Sequence, residues 1–318
     1  MSRKPRIHYA GAFYHVMLRG NGGQDIFSSS ADRSRFYLLL QEGIERYRCR
    51  IHAFCLMNNH VHLLIEVGTI PLSRFMQNLS FRYTRYANSE KNKTGHLFQG
   101  RYKALLIDGD SYLLELTRYI HCNPVRAGLT AGPDTYRWSS HQTYLGRNSI
   151  PWLTTELVLG QFAARLGKAR RLYHDFVQEG IMEARRQEFH TGTYEGRILG
   201  DEAFGEKAVA LAEEKVKTRY SLSQLIESVC AAYEITFETL VEAGKKQPAA
   251  KARAVAAYLA QDEAYLSLTD LSEIVRRDLS ALSRAAGRIR EWAAKDAELS
   301  EKLRMIKEDL LRMSRSQA

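Results

Sequence analysis

Two periods run through the apolar positions of this chain, the two-residue alternation of strands and the three-to-four-residue recurrence of helices. Phe13-Tyr14-His15-Val16-Met17-Leu18-Arg19 has the β-rich composition of a strand, and Gly20-Asn21-Gly22-Gly23 ends it with residues that accept positive φ. From Asp32 to Arg48, Phe36, Leu39, Leu40, Ile44 and Tyr47 recur at helical spacing, with Ser28 to Asp32 offering caps. Arg50 to Val67 is apolar and β-rich on both sides of Asn58-Asn59, which predicts two strands joined at that pair. Pro71 opens a second helix running to about Asn88. A turn at Lys91 to Gly95 precedes an extended segment from His96 to Ile107. A helix capped by Asp110 or Ser111 then runs until Pro124 ends it. This order of strands and helices predicts an α+β sandwich with helices against a sheet. Beyond Trp152 the pattern is helical only, with a Gly-rich irregular stretch from Glu188 to Gly205 and a short linker at Lys245 to Pro248. The expected divisions are 1–148, a helical connecting region at 149–248 and a helical module at 249–318.

Composition sharpens this picture in one respect. The chain has 318 residues and a net charge of +10. Residues 1–150 hold 20 Lys and Arg against 10 Asp and Glu, while residues 151–318 hold 26 of each. A compact domain carrying all of the excess attracts polyanions, and nucleic acid is the commonest of these in a cell. The four cysteines form no C-x-x-C pair, so each reads as a small buried residue. No stretch approaches the roughly 18 apolar residues of a membrane helix, and the start is polar, so a cytoplasmic location and no membrane partner are expected.

His60 and His62 stand two apart on a predicted strand, so both imidazoles point to one side and could chelate one metal ion. An isolated pair of this kind is more often an exposed strand face. The weighting changes at the helix ending near Pro124, where Tyr119 and Asn123, four residues apart, share a face. If that face meets the histidine strand, Asn123 supplies a neutral oxygen as third ligand and Tyr119 reaches whatever the metal holds. A divalent ion on a phosphodiester makes a nearby tyrosine hydroxyl a competent nucleophile, and the product is a covalent phosphotyrosine.

Three ordered motifs carry a resemblance: Leu56-Met57-Asn58-Asn59-His60-Val61-His62-Leu63-Leu64, Gly95-His96-Leu97-Phe98-Gln99-Gly100-Arg101-Tyr102-Lys103, and Tyr119-Ile120-His121-Cys122-Asn123-Pro124-Val125-Arg126-Ala127-Gly128-Leu129. Over roughly residues 5–145 the chain resembles the REP-associated tyrosine transposases, a branch of the HUH single-strand nucleases. The resemblance implies a ferredoxin-like antiparallel sheet with helices and cleavage and rejoining of single-stranded hairpin DNA, with Mg²⁺ or Mn²⁺ as cofactor. It makes His60 and His62 metal ligands, Asn123 the third ligand and Tyr119 the nucleophile. His₂ sites suit Mn²⁺ at least as well as Mg²⁺. It also leans towards a monomer.

A single strand is held by a basic track, and here the candidates are the N-terminal arm Arg3, Lys4 and Arg6, then Arg19, Arg82, Arg85, Arg101, Lys103 and Arg126. In the all-α C-terminal region, Lys251 to Ile289 is similar to the DNA-binding domain of the replication initiator DnaA, a helix-turn-helix variant. That similarity implies a second partner, double-stranded DNA, read by Arg277, Ser280 and Arg284. The departure is at Asp278-Leu279-Ser280, where the initiator has an Asp-His-Thr or Asp-His-Ser run. The alternative reading is a nucleic-acid-binding regulator, for DNA or RNA, that keeps the site and acts by binding.

Overall fold

The computed structural model describes residues 7–183, 186–217, 220–244, 246–263 and 265–315. The chain divides into two compact units, Met1–Val209 and Ala210–Ala318. The segment expected to connect two domains, 149–248, is therefore shared between them.

The first unit contains β1 (Phe13–Arg19), α1 (Ser30–Tyr47), β2 (Arg50–Leu56), β3 (His60–Glu66), α2 (Leu72–Glu90), β4 (Lys103–Ile107) and α3 (Gly109–Arg126). Short helices α4 (His141–Tyr144) and α5 (Glu156–Leu159) follow, then α6 (Leu166–Glu179), α7 (Glu188–Thr191) and β5 (Ile198–Leu199), with α8 (Glu202–Lys217) crossing the division. The sheet order is β2-β3-β1-β4-β5. Its first four strands are antiparallel in the ferredoxin-like order. β5 adds to β4 in parallel, which corrects the expectation of helices alone beyond Trp152.

Local chemistry accounts for the element ends. Ser29 caps α1 in a reciprocal box with Asp32, within the predicted cap region. α3 starts two residues earlier than the first expected cap implies, because Asp108 is its cap and accepts from the Asp110 N–H. It also runs through Pro124 to Arg126. A proline near a helix end removes one ladder donor only, and the Ala127 N–H still closes the last turn on the Asn123 and Val125 carbonyls. The segment His96 to Ile107 is a strand only from Lys103; before it, Phe98 makes a single bridge to Gly20.

Strand alternation divides the sheet's side chains between two faces. Phe54 meets Tyr37 of α1 at 5.0 Å between ring centroids, and α1 packs on α2 through Phe36 and Tyr83, also 5.0 Å apart. The approach is close at Gly43, where a Cβ would lie 2.3 Å from the Phe75 ring. The opposite face, carrying Cys55, His62 and His15, receives α3. Behind α3 lies a buried polar network. His121 bonds the Tyr173 hydroxyl and, at 2.6 Å, Ser140 Oγ, while the Tyr144 hydroxyl donates to the His52 carbonyl at 2.7 Å. His141 Nε2 is 3.0 Å from Asp134 Oδ1.

The second unit is helical: α9 (Leu222–Ala232), α10 (Phe237–Val241), α11 (Ala249–Asp262), α12 (Leu268–Ile274), α13 (Leu279–Ala293) and α14 (Ala297–Arg315). α11 is its axis, with Ala252, Val255, Ala256, Leu259 and Ala260 fully buried among Val229, Leu271, Ile289 and Leu310. Its small residues let neighbouring helices approach from several sides. Among the described residues no helix is long and apolar enough to cross a membrane.

Two stability predictions follow from this packing. Gly43→Ala should cost about 1–3 kcal/mol by forcing α1 off Phe75, seen as a lower urea midpoint; an unchanged midpoint contradicts the close packing. Burial pushes His141 down to about 4 despite the Asp134 carboxylate. Its folded value therefore lies below the ordinary unfolded value of about 6.5. As pH falls from about 6.5 towards 4 the unfolded chain takes up this proton and the native chain does not, so stability drops by up to about 1.4 kcal/mol per pH unit. His141→Phe should flatten the fall in urea stability across that window, and an unaltered slope would refute the assignment.

Candidate metal and tyrosine site

The register between strands assembles the site. Met17 of β1 pairs with His62 on one side and Lys103 on the other, and Arg19 pairs with His60. His60, His62, Met17, Arg19, Lys103 and His15 therefore share one sheet face. His62 is 2% exposed and His15 is fully buried, whereas His60 is half-buried at the strand end.

A chain of hydrogen bonds fixes which nitrogen of each ring carries the proton. The Phe189 carbonyl can only accept, so His15 Nδ1, 3.0 Å away, is its donor. Burial holds His15 down to about 3, and the neutral ring then has Nε2 as acceptor. His62 Nδ1, at 2.9 Å, must donate to it. Burial, with the charges of His15, His60, His190 and Arg126 added, also holds His62 well below the usual imidazole range. The lone pair of His62 is thereby set on Nε2. His60 is fixed by a second route: Asn59 Nδ2 donates to the Gly23 carbonyl at 3.1 Å, turning Asn59 Oδ1 to accept from His60 Nδ1 at 2.7 Å. In its neutral form His60 likewise carries its lone pair on Nε2. Orienting each imidazole through its far nitrogen is how proteins prepare histidine metal ligands, so this pair fits a divalent ion. Among the described residues no three His, Cys, Asp or Glu side chains are grouped as a metal site.

α3 brings Tyr119 across from this pair, 3% exposed, its ring 6.1 Å from His62 and 6.3 Å from His15. Arg126 lies 4.3 Å over the ring and donates to the Tyr119 carbonyl at 3.0 Å. Asn123 is buried on the same helix, its Nδ2 donating to the Tyr119 carbonyl at 3.1 Å. The Tyr119 hydroxyl and His190 Nε2 are 2.6 Å apart and share a hydrogen bond. Phe189 packs on the Tyr119 ring at 4.8 Å.

The basic residues separate into groups. Arg19, Lys103 and Arg126 stand at the site. Leu97 and Gln99 hold the end of β1, with the Gln99 N–H donating to the Arg19 carbonyl at 2.8 Å and the Asn21 N–H to the Leu97 carbonyl at 2.9 Å. Arg101 is exposed in the approach to β4. Arg82 pairs with Glu42, and Arg85 lies 5.7 Å over Phe81; both are on α2, packed with α1 away from the histidine face. Arg3, Lys4 and Arg6 lie outside the described residues. Arg277, Ser280 and Arg284 belong to the second unit, in the turn before α13 and along its first turns. Arg277 donates to the Arg276 carbonyl at 2.8 Å, and Ser280 to Asp278 Oδ1 at 2.5 Å.

Comparison with known proteins bears on the segment that builds this site. Residues 9–123 match the family described as "Transposase IS200 like". The IS200-like segment runs from just before β1 to Asn123 and so contains His15, His60, His62 and Tyr119. Phe189 and His190 lie beyond it. Among solved structures the chain is similar to one described as "Structure of the REP associates tyrosine transposase bound to a REP hairpin", at 15% identity and a TM-score of 0.41, covering 49% of this chain and 92% of that one. No curated protein matches.

Sequence reasoning missed His15, Phe189 and His190. His15 was visible only as a member of the alternating set Phe13, His15, Met17 and Arg19. His190 lies in a stretch with no periodic signal, 71 residues from its partner.

Proposed function

We propose that this chain is a tyrosine transposase that cleaves and rejoins single-stranded hairpin DNA through a 5′-phosphotyrosine at Tyr119. The observation that carries the reading is the proton-ordered pair His60 and His62 facing a buried tyrosine on α3. The IS200-like match over the same residues and the excess positive charge of residues 1–150 support it. In this reading His60 and His62 hold Mg²⁺ or Mn²⁺ through Nε2, with Asn123 Oδ1 as third ligand. When bound there, the ion supplies charge withdrawal from the scissile phosphodiester.

The chain's own residues do the rest. Arg19 and Lys103 flank the histidines on the sheet face and bind neighbouring phosphates. Arg126 packs over the Tyr119 ring and restricts it, so that the phenol oxygen is presented from one direction. That oxygen attacks phosphorus, the bond to the 3′-oxygen breaks, and the DNA leaves a free 3′-hydroxyl with its 5′-phosphate on Tyr119. Reversal by another 3′-hydroxyl rejoins the strand. Residues 1–148 supply the histidines, Asn123 and Tyr119 of this chemistry, with Arg3, Lys4 and Arg6 as an arm on the hairpin and Arg82, Arg85 and Arg101 as outlying contacts. A monomer suffices if one site is used sequentially.

In the second unit, we read α12, the short turn after it and α13 as the two helices of a helix-turn-helix within 249–318, a reading supported by the similarity of Lys251 to Ile289 to the DnaA DNA-binding domain. Arg277, from the turn before α13, and Ser280 and Arg284, from its first turns, would face double-stranded DNA.

The test uses oligonucleotides from palindromic repeats flanking the gene, incubated with Mn²⁺ or Mg²⁺ and resolved on a denaturing gel. Wild type should form a metal-dependent covalent adduct. Tyr119→Phe should lose it while keeping DNA affinity, and His60→Ala or His62→Ala should lose cleavage. Retarded native complexes with no adduct would favour the binding-protein reading. His15→Phe removes the acceptor of the His62 Nδ1 proton and should weaken Mn²⁺ binding by about 10–100-fold. Calorimetric titration with Mn²⁺ checks this, and an unchanged affinity contradicts the positioning role of His15.

A further inference from the structure

We propose that His190 is the proton acceptor for Tyr119, a catalytic residue contributed from beyond the IS200-like segment. The inference rests on the reading of Tyr119 as nucleophile and adds the group that activates it. At neutral pH only about one free phenol in a thousand is ionised, so an attacking tyrosine gains from a positioned base. Tyr119 is 3% exposed, so its proton needs a nearby acceptor.

The neighbours of the phenol sort themselves by what they can do. His15 has both nitrogens committed, one to the Phe189 carbonyl and one to His62. His62 has Nδ1 spent as a donor to His15, and its Nε2 is the nitrogen that the proposed function gives to the metal. Arg126 is a cation against the ring face, and Asn123 is an amide bonded to its own helix. His190 stands at the hydroxyl itself, Nε2 to Oη 2.6 Å, within the reach that proton transfer requires. Its ring is only half-buried, so a proton taken from the enclosed phenol has a path towards solvent.

The same short helix fixes this base in place. Phe189 is fully buried against the Tyr119 ring, its carbonyl accepts from His15, and Arg186 lies 4.5 Å over its ring. The step balances: the phenol proton moves to His190 Nε2, the phenol oxygen forms the bond to phosphorus, and the 3′-oxygen leaves with its electron pair and takes a proton from water. On rejoining, the 3′-hydroxyl returns its proton to the solvent as its oxygen bonds phosphorus, and the displaced phenolate recovers the proton from His190.

The experiment measures single-turnover adduct formation on the same hairpin oligonucleotides with Mn²⁺, using the full chain and its His190→Gln and His190→Ala variants. Both variants should slow by about 10²–10⁴-fold, with Mn²⁺ and DNA affinities unchanged. Added imidazole should speed His190→Ala and leave wild type unaffected. Wild-type rates in His190→Gln would overturn the assignment. So would a slow variant with lost Mn²⁺ affinity and no imidazole rescue, which would make His190 a ligand or a structural residue. If the wild-type chain itself forms no adduct, the reading of Tyr119 fails first, a result separate from either of these.

Discussion

The hydrogen bond from His15 Nδ1 to the Phe189 carbonyl is the constraint on which the site depends. A carbonyl cannot donate, so this one contact orders the proton on His15, and through it the proton on His62. Burial keeps both rings neutral, which makes the ordering strict. The same residue packs on Tyr119, and its neighbour His190 bonds the phenol. One turn of helix at 188–191 therefore sets the geometry of the histidine strand and of the tyrosine helix together. The cost of enclosing these polar groups is offset because both nitrogens of His15 and Nδ1 of His62 end on defined partners.

What the sequence made legible is what a single element's period decides. A two-residue alternation places His60 and His62 on one face, and a four-residue interval places Tyr119 and Asn123 on another, whatever the rest of the chain does. The order of strands and helices was readable for the same reason, since apolar spacing and caps are local, whereas the ferredoxin-like arrangement of the sheet was implied only by the family resemblance. Relations between elements were not readable. His15 acquires its meaning only from the pairing of Met17 with His62 and of His15 itself with Leu64, which puts it diagonally beside His62.

The misread boundaries have local explanations. Pro124 was expected to stop α3, yet a proline in the last turn loses only one ladder donor, and the helix needs that turn to bring Arg126 back over Tyr119. Asp108 precedes the predicted caps because its side chain meets the Asp110 N–H two residues on. The Gly-rich stretch after Glu188 carried no period, and it holds both a short helix and β5, whose pairing with β4 no local pattern announces. Asn58 and Asn59 were legible as a turn. Their bonds to Ile26, Phe27, Gly23 and His60, which tie the turn to the loop after β1, were not.

The central claim is that Tyr119 carries the DNA, and locating the covalent phosphate tests it most directly. The adduct formed with Mn²⁺ would be trimmed with nuclease, digested with trypsin and sequenced by mass spectrometry. Cleavage after Arg118 and Arg126 isolates Tyr119-Ile120-His121-Cys122-Asn123-Pro124-Val125-Arg126, which contains a single tyrosine. The account predicts a nucleotide mass on that peptide, assigned to Tyr119. A nucleotide on any other residue would contradict it.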